Sequence, residues 1–263
     1  MSILTAPTTR GAVASEWIKL RTVRSTAFTV LVAVLAAVLV GTLDDTSAAN
    51  NYASWTPAQQ RSFDPVRYGF SGGFYVAVLA VGTLGVLSAS SEYGTGLIRT
   101  TFAATPRRRQ VLIAKSLVTG GLSLAVGLGV AFATFFLGQN SLSARHLDVG
   151  LGDPHVLRAV VGAGTFLAVF ALVGLAVGVV VRRSAGGVAL LFGLFFIAPM
   201  VFGALSDTLG GWTLQTAFES LSTTITLPPD AARPSAGQAV AVCAVHLVVA
   251  FAGAALLIER RDA

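Results

Sequence analysis

The chain has 263 residues, of which 54% are hydrophobic and 11% charged, with a mean hydropathy of +0.75. An ordinary soluble domain carries about 25% charged residues, so this composition points to a membrane protein and away from a soluble enzyme. One cysteine, Cys243, excludes an internal disulfide and a cysteine-based metal cluster.

The start, MSILTAPTTRGAVASEW, has no basic segment leading straight into an apolar core with a small-residue cleavage site. No cleaved signal is expected, and the first apolar run should stay as an anchor. Before that run, GAVASEWIKLRTVRS puts Val13, Trp17 and Leu20 on one helical stripe with Glu16, Lys19 and Arg21 off it. This pattern predicts an interfacial helix over 11–25 with Trp17 at the headgroups. A plain basic flank would explain the charges, though not the stripe.

Crossing a bilayer takes about 20 apolar residues, because every backbone polar group must be satisfied within the segment. Six runs qualify, at 26–43, 68–90, 116–138, 159–181, 186–205 and 237–258, and none contains Asp, Glu, Lys or Arg. The chain is therefore expected to be a single all-α transmembrane domain over 1–263. Orientation follows the cations. The amino terminus, the loops at 91–115 and 182–185, and the tail from Glu259 carry 13 Lys or Arg against four acids, while the other three loops carry five against eight. The +9 face is cytoplasmic and the −3 face external, with both termini inside the cell. Topology and anionic lipid account for the net charge of +6, and no nucleic-acid partner is implied.

Outside, Thr56 and Pro57 in ASWTPAQQRSF mark a local helix start. In the last external loop, Leu214, Phe218, Leu221 and Ile225 fall at helical spacing and end at Pro228 and Pro229. A helix at or dipping into the outer surface and an ordered loop with apolar anchors both fit this pattern. In span 4, Gly174 and Gly178 form a G-x-x-x-G pair that permits close helix approach, although 28 glycines make coincidence a competitor. Pro199 should loosen span 5 near its outer end.

The chemistry of many enzymes is missing from the sequence. There is no G-x-x-x-x-G-K-[ST] loop, no H-E-x-x-H, no G-x-S-x-G and no paired metal-ligand spacing. Any ATP must be handled by another chain. His246 is the one ionisable imidazole within a span and hence a candidate, but a neutral histidine bonded to a neighbouring helix suffices to explain it. His146 and His155, with Asp148 and Asp153, make a weak metal-like group better explained as a solvated loop. Of the 18 cations 16 are Arg and two Lys, a coding bias that lowers the weight of any one arginine.

The basic island SSEYGTGLIRTTFAATPRRRQVLIAK, at 90–115, is more elaborate than topology requires. Its EYGTGLIRTTFAATP predicts a short helix with Leu97, Ile98, Thr101 and Phe102 on neighbouring positions. Thr105 and Pro106 supply a cap and first helical position for the helix of span 3. A helix from Pro106 to Gly138 would be about 50 Å long, so span 3 should stand on a cytoplasmic foot carrying Arg107, Arg108, Arg109 and Lys115.

This island resembles the loop between spans 2 and 3 in the membrane subunits of type-2 ABC exporters, the integral partners of a separate ATPase. Glu92, Gly96, Arg99, Pro106, Arg108 and Lys115 match the recurring pattern, while Leu97 stands where Thr is frequent and Phe102 where Leu is usual. SEWIKLRTVRST is similar to the family's amino-terminal elbow, VGVVVRRSAGG to its tight turn between spans 4 and 5, and the ERRDA ending is familiar there. The resemblance implies a multi-pass permease in the cell membrane, without ATPase activity of its own, paired with a second permease, identical or related. The pair would dock on two ATPase chains that bind ATP and Mg. The loop would be the coupling helix, with Glu92, Gly96, Arg99, Phe102, Pro106, Arg108 and Lys115 as its coupling residues. Glu16, Trp17, Lys19 and Arg21 would form the elbow, and Phe74, Tyr75, Phe195 and Phe196 are candidates for the substrate path. The cargo expected is a small amphipathic molecule, drug, lipid or peptide. A stand-alone ion-coupled or facilitative transporter is disfavoured by the lack of carboxylates in the spans, and a membrane scaffold or immunity protein leaves the loop unexplained.

Overall fold

In a computed structural model, residues 9–22, 24–105, 107–225 and 233–260 are described. Among the described residues every regular element is helical, and there are no strands. Pro106 and Pro228–Pro229 lie outside them, so the positions expected of these prolines do too. Chain order gives α1 (Thr9–Thr22), α2 (Arg24–Asn51), a 3-10 turn (Tyr52–Ser54), α3 (Pro57–Arg61), α4 (Pro65–Gly69), α5 (Gly73–Gly94), α6 (Leu97–Ala104) and α7 (Arg108–Ser143). Next come α8 (Val156–Val181), α9 (Ser184–Phe192), a π turn (Gly193–Ile197), α10 (Ala198–Leu205), α11 (Asp207–Gly211), α12 (Leu214–Ser222) and α13 (Ala236–Arg260).

Six helical stretches are long and apolar enough to cross a membrane: Val30–Ser54, Gly73–Gly94, Arg108–Ser143, Val156–Val181, Ser184–Leu205 and Ala236–Arg260. The chain is built as a multi-pass membrane protein. Two boundaries differ from the sequence reading. Span 2 begins at Gly73 because Tyr68 belongs to the separate α4, which Asp64 caps by accepting from the Val66 and Arg67 amides. The helix of span 1 runs on past Leu43 to Asn51 and carries Asp44 and Asp45. A charge count ends the span at these acids, whereas the helix keeps them. Asp44 accepts the Gly72 amide, and Asp45 is buried against Gly69 and Gly138, where only glycine leaves room for its carboxylate.

The bundle is organised on α8, which packs on α5, α7, α9, α12 and α13. The approach expected at Gly174 and Gly178 is present: a Cβ on Gly178 would lie 2.5 Å from the Val86 carbonyl oxygen, and one on Gly174 2.7 Å from that of Gly82. Helices α8 and α9 join through Arg182 and Arg183 alone, with Arg182 in the left-handed region. Pro199 falls in the first turn of α10, directly after the π turn. Its missing N–H and ring bulk disrupt the helical ladder just upstream, which gives the loosening of span 5 a physical cause. In the loop after α2, Thr56 and Gln59 form a full capping box with Pro57 in the first turn. Helix α12 dips into the bundle: Leu214 and Phe218 are buried, and Phe218 stacks on Phe74 at 4.7 Å. Ile225 lies beyond its end.

Candidate functional site

Two carboxylates and two ammonium groups meet where α1, α5, α6 and α7 converge. Glu16 and Lys19 stand three apart on α1, an i,i+3 pair on one helical face. Ser88 and Glu92 share a face near the end of α5, and Lys115 lies in the second turn of α7, which at 36 residues is about 54 Å long and overshoots a bilayer core. Lys115 Nζ donates to Glu92 Oε1 at 2.5 Å, Glu16 Oε2 at 2.7 Å and the Ser88 carbonyl at 3.1 Å. Lys19 Nζ donates to Glu16 Oε1 at 2.7 Å, Glu92 Oε1 at 2.9 Å and Thr101 Oγ1 at 3.3 Å. The Thr101 hydroxyl, on α6, donates to Glu92 Oε2 at 3.4 Å.

Each ammonium thus has a partner for each of its three N–H groups, and the four charges sum to zero. The side chains of Lys115, Glu92 and Glu16 are only 5%, 8% and 9% exposed, while that of Lys19 is 39% exposed. Burial of this kind tolerates ionised groups only when they are paired and hydrogen-bonded. A groove of about 240 Å³ lies alongside, between α1, α6 and α7. Ammonium groups suit the junction because a compact charge can point three donors at three different elements, which a planar guanidinium cannot.

Burial lowers the affinity of Lys19 for its proton, but hydrogen bonds and charge from Glu16 and Glu92 outweigh it, so its pKa sits above the ordinary 10.5. A raised folded pKa stabilises the protein fully below the unfolded value and ceases to do so as pH rises through the folded one. The difference in thermal midpoint between wild type and Lys19→Met is therefore expected to be level around neutrality and to shrink only above about pH 10.5. The half-exposed position of Lys19 keeps the difference small.

Of the residues singled out from sequence, the structure brings Glu16, Lys19, Glu92 and Lys115 together. The inward face of α1 carries Glu16, with Val13 and Leu20 half-buried, while Trp17 and Ile18 are turned away from the bundle. The ionic partners on α5 and α7 hold Glu16 inward. Arg21 is exposed and outside the junction.

Helix α6 starts at Gly96, whose φ of +73° favours glycine. It buries Ile98 and half-buries Thr101 and Phe102, while Leu97, expected on the apolar strip, is exposed with Arg99. Thr105 closes α6; the residue flanking the start of α7 is Arg107, with no side-chain cap. A second set of contacts reaches the last helix. Arg108 lies 5.1 Å over the Phe102 ring and donates to the Ile258 carbonyl at 2.8 Å, and Arg109 pairs with Glu259. Arg182 covers the Tyr93 ring at 4.8 Å. Arg108 and Arg109 of α7, together with Arg182 of the α8–α9 turn, which donates to the Leu257 carbonyl at 3.4 Å, thus stand at the carboxyl end of α13, where the last helix carbonyls have no partner within the helix.

Tyr75, Phe195 and Phe196 meet: Tyr75 lies 6.1 Å from Phe195 and 5.9 Å from Phe196, and Phe195 meets Phe196 edge-on at 4.9 Å, while Phe74 joins this group through Phe218. Phe74 and Phe195 are packed core in this conformation, whereas Phe196 is exposed. The Nδ1 of His246 bonds to the Val242 carbonyl of its own helix at 2.9 Å, where a neighbouring helix was expected to supply the partner. His146 and His155 occupy left-handed turns, and no group of three or more metal-ligating side chains occurs among the described residues.

Sequence reasoning missed Ser88 and placed Thr101 on the strip of α6 without its polar role in the junction. It also passed over one available signal: the only two lysines in a chain with 16 arginines are the two at the junction. Comparison of the chain with protein-family models, with curated proteins and with solved structures finds no match to any of them.

Proposed function

We propose that the chain is the permease subunit of an ATP-driven exporter, with α6 as the coupling helix that docks on a separate ATPase. The observation carrying this reading is the ionic junction, which ties α1, the end of α5 and the foot of α7 to one another and holds α6 to Lys19 and Glu92 through Thr101. A helix held in this way moves its neighbours when it is pushed. Its other side, with Leu97 and Arg99 exposed, is left for a partner. In this reading α1 is the elbow, with Trp17 and Ile18 at the headgroups. A second permease, identical or related, completes the path, and ATP and Mg belong to the partner ATPase. The cytoplasmic termini, the outward direction and a small amphipathic drug, lipid or peptide as cargo are parts of the same proposal.

Arg99→Ala is expected to leave expression, insertion and thermal midpoint unchanged, because Arg99 is an exposed side chain on α6. In the reconstituted complex, substrate-stimulated ATPase and transport should fall several-fold. Unchanged coupling in that assay would count against α6 as the docking element.

One observation favours a second reading, a stand-alone ion-coupled transporter. Asp45 is a buried carboxylate within a spanning helix, and its Oδ1 has no hydrogen-bond partner, the kind of intramembrane group that marks ion pathways. Transport by the isolated protein in liposomes, driven by an ion gradient without nucleotide, would establish that reading and end the first.

A further inference from the structure

At the end of the bundle opposite the ionic junction lies a cavity of about 470 Å³, lined by Trp55, Gln59, Phe63, Asp64, Arg67 and Tyr68 among others. The cavity is of the size that small ligands occupy, roughly 300–1,000 Å³. Its apolar wall is well built. Trp55 and Phe63 meet at 5.5 Å, Trp55 and Tyr68 at 5.7 Å, and Phe63 and Tyr68 at 5.6 Å, with Tyr52 against the first two. The capping box at Thr56 and Gln59 and the Asp64 cap fix the two short helices between and beside these rings, with Trp55 just before α3, Phe63 between α3 and α4, and Tyr68 on α4.

The polar wall selects the sign of the ligand. Asp64 is buried and already accepts four hydrogen bonds, from the Val66 and Arg67 amides on Oδ1 and from Thr223 Oγ1 and the Thr224 amide on Oδ2. These bonds tie α4 to the segment after α12 and occupy both of its oxygens, so Asp64 keeps its negative charge but offers a ligand no free acceptor. Arg67, by contrast, keeps 38% of its side chain exposed and pairs with Glu219 at a loose 3.3 Å. Glu219 is shared with Arg233 at 3.1 Å. With Asp64 counted, the two guanidiniums and two carboxylates balance, and the group with donors to spare at the cavity is the half-exposed Arg67 guanidinium, which can bind phosphate or carboxylate in a planar, two-pronged manner.

We propose that this cavity binds an amphipathic anion, with a phosphate- or carboxylate-type head on Arg67 and an apolar or aromatic portion against Trp55 and Phe63. The head can belong to a lipid or to a water-soluble molecule. The site is separate from the α6 junction and does not depend on the exporter reading.

The test uses the full chain in nanodiscs, with Trp17→Phe and Trp212→Phe so that Trp55 is the sole reporter. Phenyl phosphate titrated into phosphatidylcholine discs should change Trp55 emission saturably, and phenol should bind at least about tenfold more weakly. Discs containing phosphatidylglycerol should show the same signal already saturated if a lipid head is the occupant, and an unaltered titration if the ligand is soluble. Arg67→Gln should weaken binding about tenfold or more, Arg67→Lys by less, and Phe63→Ala should weaken it with the Arg67–Glu219 contact intact. No saturable response to either anion would overturn the proposal. So would equal responses to phenol and phenyl phosphate, or a response indifferent to both Arg67→Gln and Phe63→Ala.

Discussion

Lys115→Met is expected to destabilise the folded protein by about 3–5 kcal/mol, the usual cost of removing one partner from a buried ion pair. Glu16 and Glu92 would face each other across the vacated ammonium, with the half-exposed Lys19 as their remaining cation. The Ser88 carbonyl would also lose its donor. The control is the double variant Lys115→Met/Glu92→Gln, which removes one charge of each sign and leaves the Glu16–Lys19 pair in place. It should recover a substantial part of the loss, giving an interaction energy of about 0.5–3 kcal/mol between the two sites. Equilibrium unfolding in detergent measures both. Strictly additive losses would mean that Lys115 is stabilised by something other than Glu92.

Gly85→Ala is expected to be among the most damaging single-methyl additions in the bundle interior. A Cβ at Gly85 would overlap the Ala171 carbonyl, and its other nearest atoms are also backbone atoms of Ala171. A rotamer change cannot relieve such a contact, so α5 and α8 must move apart. Overpacking typically costs about 1–3 kcal/mol, and the upper part of that range applies because Gly82, Gly174 and Gly178 hold the same two helices close. Gly129→Ala is the matched control, since a Cβ there meets nothing within 4 Å. Equal midpoints for the two variants would contradict the packing of α5 on α8.

The contrast between these two sites shows what the sequence could convey. Spans were legible because hydropathy is a local property, and the helix start at Thr56 because a capping box is read within four residues. The close approach of Gly174 and Gly178 was visible as spacing, but its partners Gly82 and Val86 were not. Glu16 and Lys115 lie 99 residues apart and Lys19 and Glu92 73, so no periodicity announces their meeting. The inward turn of Glu16 was hidden for the same reason, because its partner Lys115 comes from α7. Likewise the acids of α2 look like a loop in a charge count, although glycine notches on α4 and α7 let the helix carry Asp45 inward.

Docking of a separate ATPase on α6 is tested most directly by a photo-crosslink. With a benzoylphenylalanine in place of Arg99 in the full chain, ultraviolet irradiation of intact cells should join α6 to a soluble chain bearing Walker motifs. The same label in place of Leu157, an exposed residue on α8 well away from α6, should not. Normal insertion of the labelled protein without any Walker-bearing adduct at position 99 would contradict the coupling role.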